Sequence, residues 1–79
     1  MVTELARKTI PTGLAAGDPR ELYLCGLASR TLDRFEIGTD GRVPATGEPI
    51  AGDCTLAVAV LEDGRIATAS ETAIRVVEP

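Results

Sequence analysis

The 79-residue chain lacks histidine, asparagine, glutamine and tryptophan altogether, and Tyr23 and Phe35 are its only aromatic residues. Without histidine it can form no Ser–His or Cys–His nucleophile pair, no histidine general base and no histidine metal site. We therefore predict a protein that is not an enzyme and that has no catalytic residues.

The aspartate and glutamate residues are not arranged to form a metal site or an acid–base catalytic pair. No segment has the Asp-x-Asp-x-Asp-Gly spacing of a calcium-binding loop. Gly38-Thr39-Asp40-Gly41 is predicted to be a turn that follows a strand ending at Ile37. Glu62 and Asp63 are neighbours on a predicted hairpin tip, where both face solvent rather than a shared pocket. The sequence thus predicts no metal and no cofactor.

The charged residues exclude some classes of partner. Twelve acidic residues against eight basic ones leave a net charge of −4, and the basic residues are scattered except for Arg7-Lys8. Nucleic-acid binding usually needs a basic stripe and often stacking aromatics. No apolar run approaches the roughly 20 residues of a membrane span, and no hydrophobic signal segment opens the chain. We predict neither a nucleic-acid nor a membrane partner. The predicted location is the cytoplasm, or a virion assembled in the cytoplasm.

The two cysteines allow two interpretations. A bridge between Cys25 and Cys54 would close a long loop and would stabilise so small a chain. However, Cys25 lies in the apolar segment Leu22-Tyr23-Leu24-Cys25, where a thiol packs as a small hydrophobe. No secretion signal indicates an oxidising compartment. Free, unreactive thiols are therefore the favoured prediction, and the disulfide is the alternative.

Residues 55–78 carry the clearest structural pattern in the chain. An apolar run is followed by Glu62-Asp63-Gly64, where a glycine after an aspartate supplies the positive φ of a tight hairpin turn. Ser70-Glu71-Thr72 forms the next turn. The pattern predicts an antiparallel meander of three short strands, at 56–61, 65–69 and 73–77.

The strand at 56–61 is apolar on both faces, whereas a strand solvated on one face should alternate. The core is also short of large side chains, because eleven alanines account for much of the apolar fraction. A lone domain of this length buries only roughly 60 to 65% of its unfolded surface. We therefore expect oligomerisation or docking on a larger protein to complete the fold. The predicted interface residues are Leu56, Val58, Val60, Ile66, Ile74 and Val76.

The first half of the chain is predicted to be organised in the same way. Strands are expected at 21–25 and 31–37, joined by 26–30. Residues 44–53 contain two prolines and form a surface loop or an edge strand. We predict a single all-β domain, as a small antiparallel meander that is either blade-like or a small barrel or sandwich. Its parts are a possible pairing arm at 1–13 (with a short helix at 4–8 as the competing interpretation), a first meander at 14–43, a loop at 44–53 and a second meander at 54–79.

The second meander resembles one blade of a WD-repeat β-propeller, in which an Asp-Gly-Arg turn is followed by Ile-Ala-Thr-Ala-Ser and then Ile-Arg-Val-Val-Glu. Val77-Glu78 stands where that family has Trp-Asp, and Gly52-Asp53 stands where it has Gly-His. A closed propeller needs at least about four blades, and this chain could supply two at most. The resemblance implies that the chain assembles with copies of itself or is a fragment.

A weak internal echo accompanies this resemblance. Shifting the chain by 42 residues, near the length of a propeller blade, places Leu14 on Leu56, Leu24 on Ile66 and Leu32 on Ile74. The apolar positions agree, but few residues are identical and the turns do not align. The echo is a hint of duplication.

Together these features predict a non-enzymatic structural or protein-interaction module within a larger assembly. One alternative is a virion accessory protein, such as a capsid decoration or tail component, of a phage from a GC-rich host. It rests on the abundant alanine, glycine and arginine and the single lysine. The other alternative is a lectin-like propeller fragment, although sugar sites favour aromatic and amide side chains that this chain has little of or lacks.

Overall fold

A computed structural model describes residues 10–17, 20–42, 44 and 47–78 of the chain. These residues form β-strands and turns and contain no helix, so the predicted all-β class is confirmed. The strands are β1 (Pro11–Ala16), β2 (Glu21–Gly26), β3 (Thr31–Glu36), β4 (Glu48–Gly52), β5 (Ala57–Val60), β6 (Ile66–Ala69) and β7 (Ile74–Val77).

The strands form two antiparallel sheets in which every strand pairs with its neighbour in sequence. The four-stranded sheet has the order β1-β2-β3-β4, and the three-stranded sheet has the order β5-β6-β7. The two sheets meet where β1 passes β5. A Cβ atom at Gly13 would lie 3.1 Å from Ala57 Cα, so a larger residue there would crowd the backbone of β5.

The core lies between the sheets and is small. Cys25, Leu32, Cys54 and Ile66 have no solvent-exposed surface, and Tyr23 joins them at 3% exposure. Tyr23 and Cys25 lie on the same face of β2, because successive side chains point to opposite faces of a sheet. Partly buried side chains pack around this cluster, namely Ile50, Ala51, Val58, Val60 and Val77.

Two of the turns, at 38–42 and 61–65, share the sequence Asp-Gly-Arg and one hydrogen-bonding pattern. Gly41 and Gly64 have φ values of 81° and 89°. Each glycine N–H donates to the carbonyl three residues earlier, at 2.9 and 3.0 Å. In each turn the arginine N–H donates to the aspartate carboxylate, at 3.0 and 3.1 Å. The predicted turn at Gly38–Gly41 and the predicted positive φ at Gly64 are both confirmed.

The strand predictions for the second meander agree with the structure to within two residues at each end. The first half differs at two places. Part of the predicted pairing arm, Pro11 to Gly13, pairs instead with β2 of the same chain, and residues 1–9 lie outside the described part. Of the two interpretations of residues 44–53, an edge strand is observed at 48–52, since β4 lies at the end of its sheet, and residues 45–46 lie outside the described part.

The prediction of free thiols is wrong, because Cys25 and Cys54 form a disulfide. Their Cα atoms are 5.1 Å apart, within the usual range for a bridge. Burial in an apolar strand does not distinguish a free thiol from a disulfide, because both can pack there. The bridge links β2 of the four-stranded sheet to the segment that enters β5, and it therefore ties the two sheets together.

The 42-residue shift matches strands of the first half to strands of the second half, but it does not match the way in which those strands pair. The shift places β2 on β6 and β3 on β7. Leu24 pairs with Asp33, so an exact repeat would pair Ile66 with Arg75, but Ile66 pairs with Val77. The two hairpins differ by two residues in register, and duplication stays a prediction.

Candidate functional site

The three-stranded sheet has an outward side made entirely of apolar residues, which we call the outer apolar face. The register pairs Ala57 with Ala69 and Ala59 with Ala67, and it places β7 alongside β6. Residues directly opposite each other in a sheet share a face. The outer apolar face therefore consists of Ala57, Ala59, Ala67, Ala69, Ile74 and Val76.

The exposed side chains of this face are concentrated on β7. Ile74 is 81% exposed and Val76 is 52% exposed, whereas Ile66, on the inward side of the same sheet, is fully buried. The four alanines make a flat floor over β5 and β6, beside the ridge that Ile74 and Val76 form on β7. No charged or hydrogen-bonding side chain lies on the face, so water next to it is not held by polar groups.

The six predicted interface residues separate into three groups. Ile74 and Val76 lie on the outer apolar face, and Leu56 is 49% exposed just before β5 begins. Val58 and Val60 are partly buried against the core, and Ile66 belongs to the core itself. Ile66 is thus not available to a partner, because the four-stranded sheet already covers it. The predicted interface does not include the four alanines of the outer apolar face. Alternation of side chains along β6 is the sequence signal that could have identified them.

A second candidate site is an open cleft between the sheets, at the end away from the disulfide. It has a volume of about 750 Å³ and is lined by Glu21, Tyr23, the turn at 61–65 and Glu78. At its base the Tyr23 hydroxyl donates to Glu21 Oε2 at 2.9 Å, and Arg34 Nε donates to the same oxygen at 2.5 Å. Sequence reasoning did not predict this network, because its members come together only when β2 pairs with β3.

The electrostatics of the cleft favour a structural role for the network. Burial, followed by the hydrogen bond to the Glu21 carboxylate, raises the pKa of Tyr23 above its ordinary value. The same carboxylate raises the pKa of Arg34. Tyr23 therefore remains a neutral hydrogen-bond donor, and Arg34 remains charged. The described residues contain no group of three or more Cys, Asp or Glu side chains placed to hold a metal ion.

The third candidate site is a polar cluster that joins the two sheets near the disulfide. The hydroxyl of the fully buried Thr55 donates to Glu71 Oε1, and Arg30 forms an ion pair with Glu71 Oε2 at 3.1 Å. The hydrogen bond from Thr55, followed by that from Arg30, holds the pKa of Glu71 below its ordinary value. Glu71 thus satisfies a buried hydroxyl and links the β2–β3 turn to the β6–β7 turn.

We expect the Glu71→Gln substitution to remove part of the pH dependence of stability. Because the pKa of Glu71 is lower in the folded than in the unfolded chain, the unfolded chain binds more protons as the pH falls below about 4.5. The stabilisation is complete above that pH and is lost through the acidic range below it. Urea unfolding at a series of pH values should show a wild-type advantage over Glu71→Gln that shrinks on acidification. A difference that is independent of pH would contradict this assignment, and Thr55→Val should show a smaller pH dependence than wild type.

Among the described residues no helix is long and apolar enough to cross a membrane. Comparison with family models, curated proteins and solved structures returned no match for this chain. The two antiparallel sheets do not by themselves distinguish a propeller blade from other small β-structures. The WD-repeat resemblance therefore stays a prediction, and functional inference rests on the geometry of the outer apolar face, the cleft and the polar cluster.

Proposed function

We propose that the chain is a non-enzymatic interaction module that works within a larger assembly, and that the outer apolar face is its contact surface. The observation that carries this proposal is the exposure of Ile74 and Val76 beside a floor of alanines. Antiparallel sheets that stand alone in water alternate apolar and polar faces. This sheet instead has an apolar outward side, as a sheet covered on that side would have.

The composition of the core supports the same proposal. Only seven apolar or cysteine side chains are buried among the described residues, and two of the seven are cysteines. Burial of apolar surface stabilises by about 25 cal/mol per Å², so a core of this size leaves a small margin. Covering Ile74 and Val76 against a partner adds apolar burial that the isolated chain lacks.

The test is to place a charge on the outer apolar face without disturbing the core. Ile74→Asp should abolish assembly and leave the fold intact, because Ile74 points away from the core. Leu27→Asp is the matched control, since Leu27 is also exposed, at 44%, but lies in the β2–β3 turn. In sedimentation velocity, wild type and Leu27→Asp should sediment as assemblies and Ile74→Asp as a monomer with an unchanged circular dichroism spectrum. An Ile74→Asp variant that assembles like wild type would contradict the proposal.

One observation favours the virion accessory protein as a second candidate. Disulfides persist in oxidising surroundings, including virion and cell surfaces, and are rare in the reducing cytosol. The Cys25–Cys54 disulfide therefore supports a place of action outside the cytosol more than the cytoplasmic location expected from the sequence. Thiol labelling of protein isolated from its natural source tests this, because a bridged population fits the virion candidate and fully labelled thiols do not.

A further inference from the structure

The free edge of the three-stranded sheet is strand β7, and it differs from the other sheet edges. Edge strands are commonly protected from pairing by prolines or bulges. β4 contains Pro49, and its pairing with β3 has a register shift. β1 begins with Pro11, its pairing with β2 also has a register shift, and it lies against β5. β7 contains no proline and no glycine, and its register with β6 is regular from Ile74 to Val77. Of β1, β4 and β7, only β7 has neither a proline nor a register shift, and Arg75 is its one charged residue. The fourth edge strand, β5, lies against β1.

The backbone of β7 is oriented to accept another strand. Ser70 N–H donates to the Ala73 carbonyl at 2.9 Å, which makes 70 and 73 a hydrogen-bonded pair. Such pairs alternate along an antiparallel ladder. The regular register then directs the backbone groups of Arg75 and Val77 towards β6. The N–H and C=O groups of Ile74 and Val76 point in the opposite direction, out from the edge of the sheet.

Charge on this edge does not oppose a second copy in one particular register. Arg75 forms an ion pair with Asp53 of its own chain at 3.1 Å, so its charge is compensated locally. If Val76 lies opposite Val76 of an antiparallel copy, Arg75 lies opposite Val77 and Ile74 lies opposite Glu78. A slip that places Arg75 opposite Arg75 brings like charges together, which destabilises a sheet.

We infer that β7 pairs with β7 of a second copy, antiparallel and centred on Val76, to form a six-stranded sheet. The inference rests on the proposed function and names its partner. A two-fold axis through this junction makes the contact self-complementary. It also joins the two outer apolar faces into one continuous surface. The paired segment is short, so we expect dimerisation that depends strongly on protein concentration.

The Val76→Pro substitution tests the backbone part of the inference. Proline removes the outward N–H of residue 76 and is tolerated on an edge strand where that N–H does not bond within the sheet. We expect Val76→Pro to fold but to remain monomeric at concentrations where wild type is dimeric. Val76→Ala keeps the N–H and should still dimerise. Arg75→Pro removes a bond to β6 and should lose folding stability, which confirms the assigned ladder.

Cross-linking tests the register. In the proposed dimer the Cα atoms of the two Val76 residues are about 5.5 Å apart, which suits a disulfide. Val76→Cys should form a covalent dimer on mild oxidation, whereas Thr39→Cys, exposed in the turn at 38–42, should not. Assembly that persists in Val76→Pro without cross-linking of Val76→Cys would overturn the inference and leave the proposed function standing. A wild-type chain that is monomeric at every concentration, as expected if β7 takes a strand of another protein, would also overturn it.

Discussion

Reduction of the Cys25–Cys54 disulfide is expected to lower the free energy of unfolding by about 3.5 kcal/mol, since the bridge spans a sequence separation of 29 residues. The bridge restricts the unfolded chain, and the loss of one link between the sheets has no large core to offset it. For a domain with a total stability of about 5 kcal/mol or little more, this loss leaves much of the chain unfolded at physiological temperature.

Urea unfolding with and without reductant measures the effect. The double variant Cys25→Ala/Cys54→Ala is the control, because reductant should not change its stability. Wild type under reducing conditions should unfold at a lower urea concentration than oxidised wild type. Equal midpoints for the oxidised and reduced wild type would show that the bridge contributes little to folding.

Replacing Ile66 with alanine is expected to cost about 3 kcal/mol, because it leaves a cavity in a fully packed site. Ile66 has no exposed surface and contacts the cluster that includes Leu32 and Cys54. Ile74→Ala removes the same atoms from the opposite face of the same sheet, where the side chain is 81% exposed. In the monomer it should change the stability by less than about 0.5 kcal/mol.

The pair Ile66→Ala and Ile74→Ala therefore measures which side of the sheet faces the core. Chemical denaturation of both variants, at a concentration too low for assembly, gives the comparison directly. Equal losses, or a larger loss for Ile74→Ala, would mean that the sheet is inverted relative to the structure described here. The same measurement should show large losses for Val58→Asp and Val60→Asp, since both valines pack against the core.

The second meander could be predicted from the sequence because its turns carry strong local signals. Gly64 adopts the positive φ that an Asp-Gly turn requires, and the flanking strands follow from it. Strand β1 was missed because Pro11-Thr12-Gly13 has the composition of a turn. The structure accommodates these residues through a register shift between Pro11 and Gly13 and the close approach of Gly13 to β5. Both are tertiary effects that a local pattern does not contain.

The candidate contact surface could be predicted only in part. The sequence identified Ile74 and Val76 as apolar positions, but it placed Ile66 with them. Which face of β6 is buried depends on packing against the four-stranded sheet. The sequence also places Glu71 in the turn Ser70-Glu71-Thr72 and gives no sign of a buried partner. In the structure Glu71 accepts a hydrogen bond from the buried Thr55 hydroxyl, so its loss leaves a buried donor without that partner.

If β7 pairs as proposed, a second copy of the chain covers the β7 edge of the three-stranded sheet in the functional state. Sedimentation equilibrium of the oxidised wild-type chain, from micromolar to millimolar concentration, tests it most directly. We predict an average mass that rises with concentration from the 8.2 kDa of one chain towards twice that value. A mass that stays at 8.2 kDa throughout this range would contradict self-assembly through this sheet.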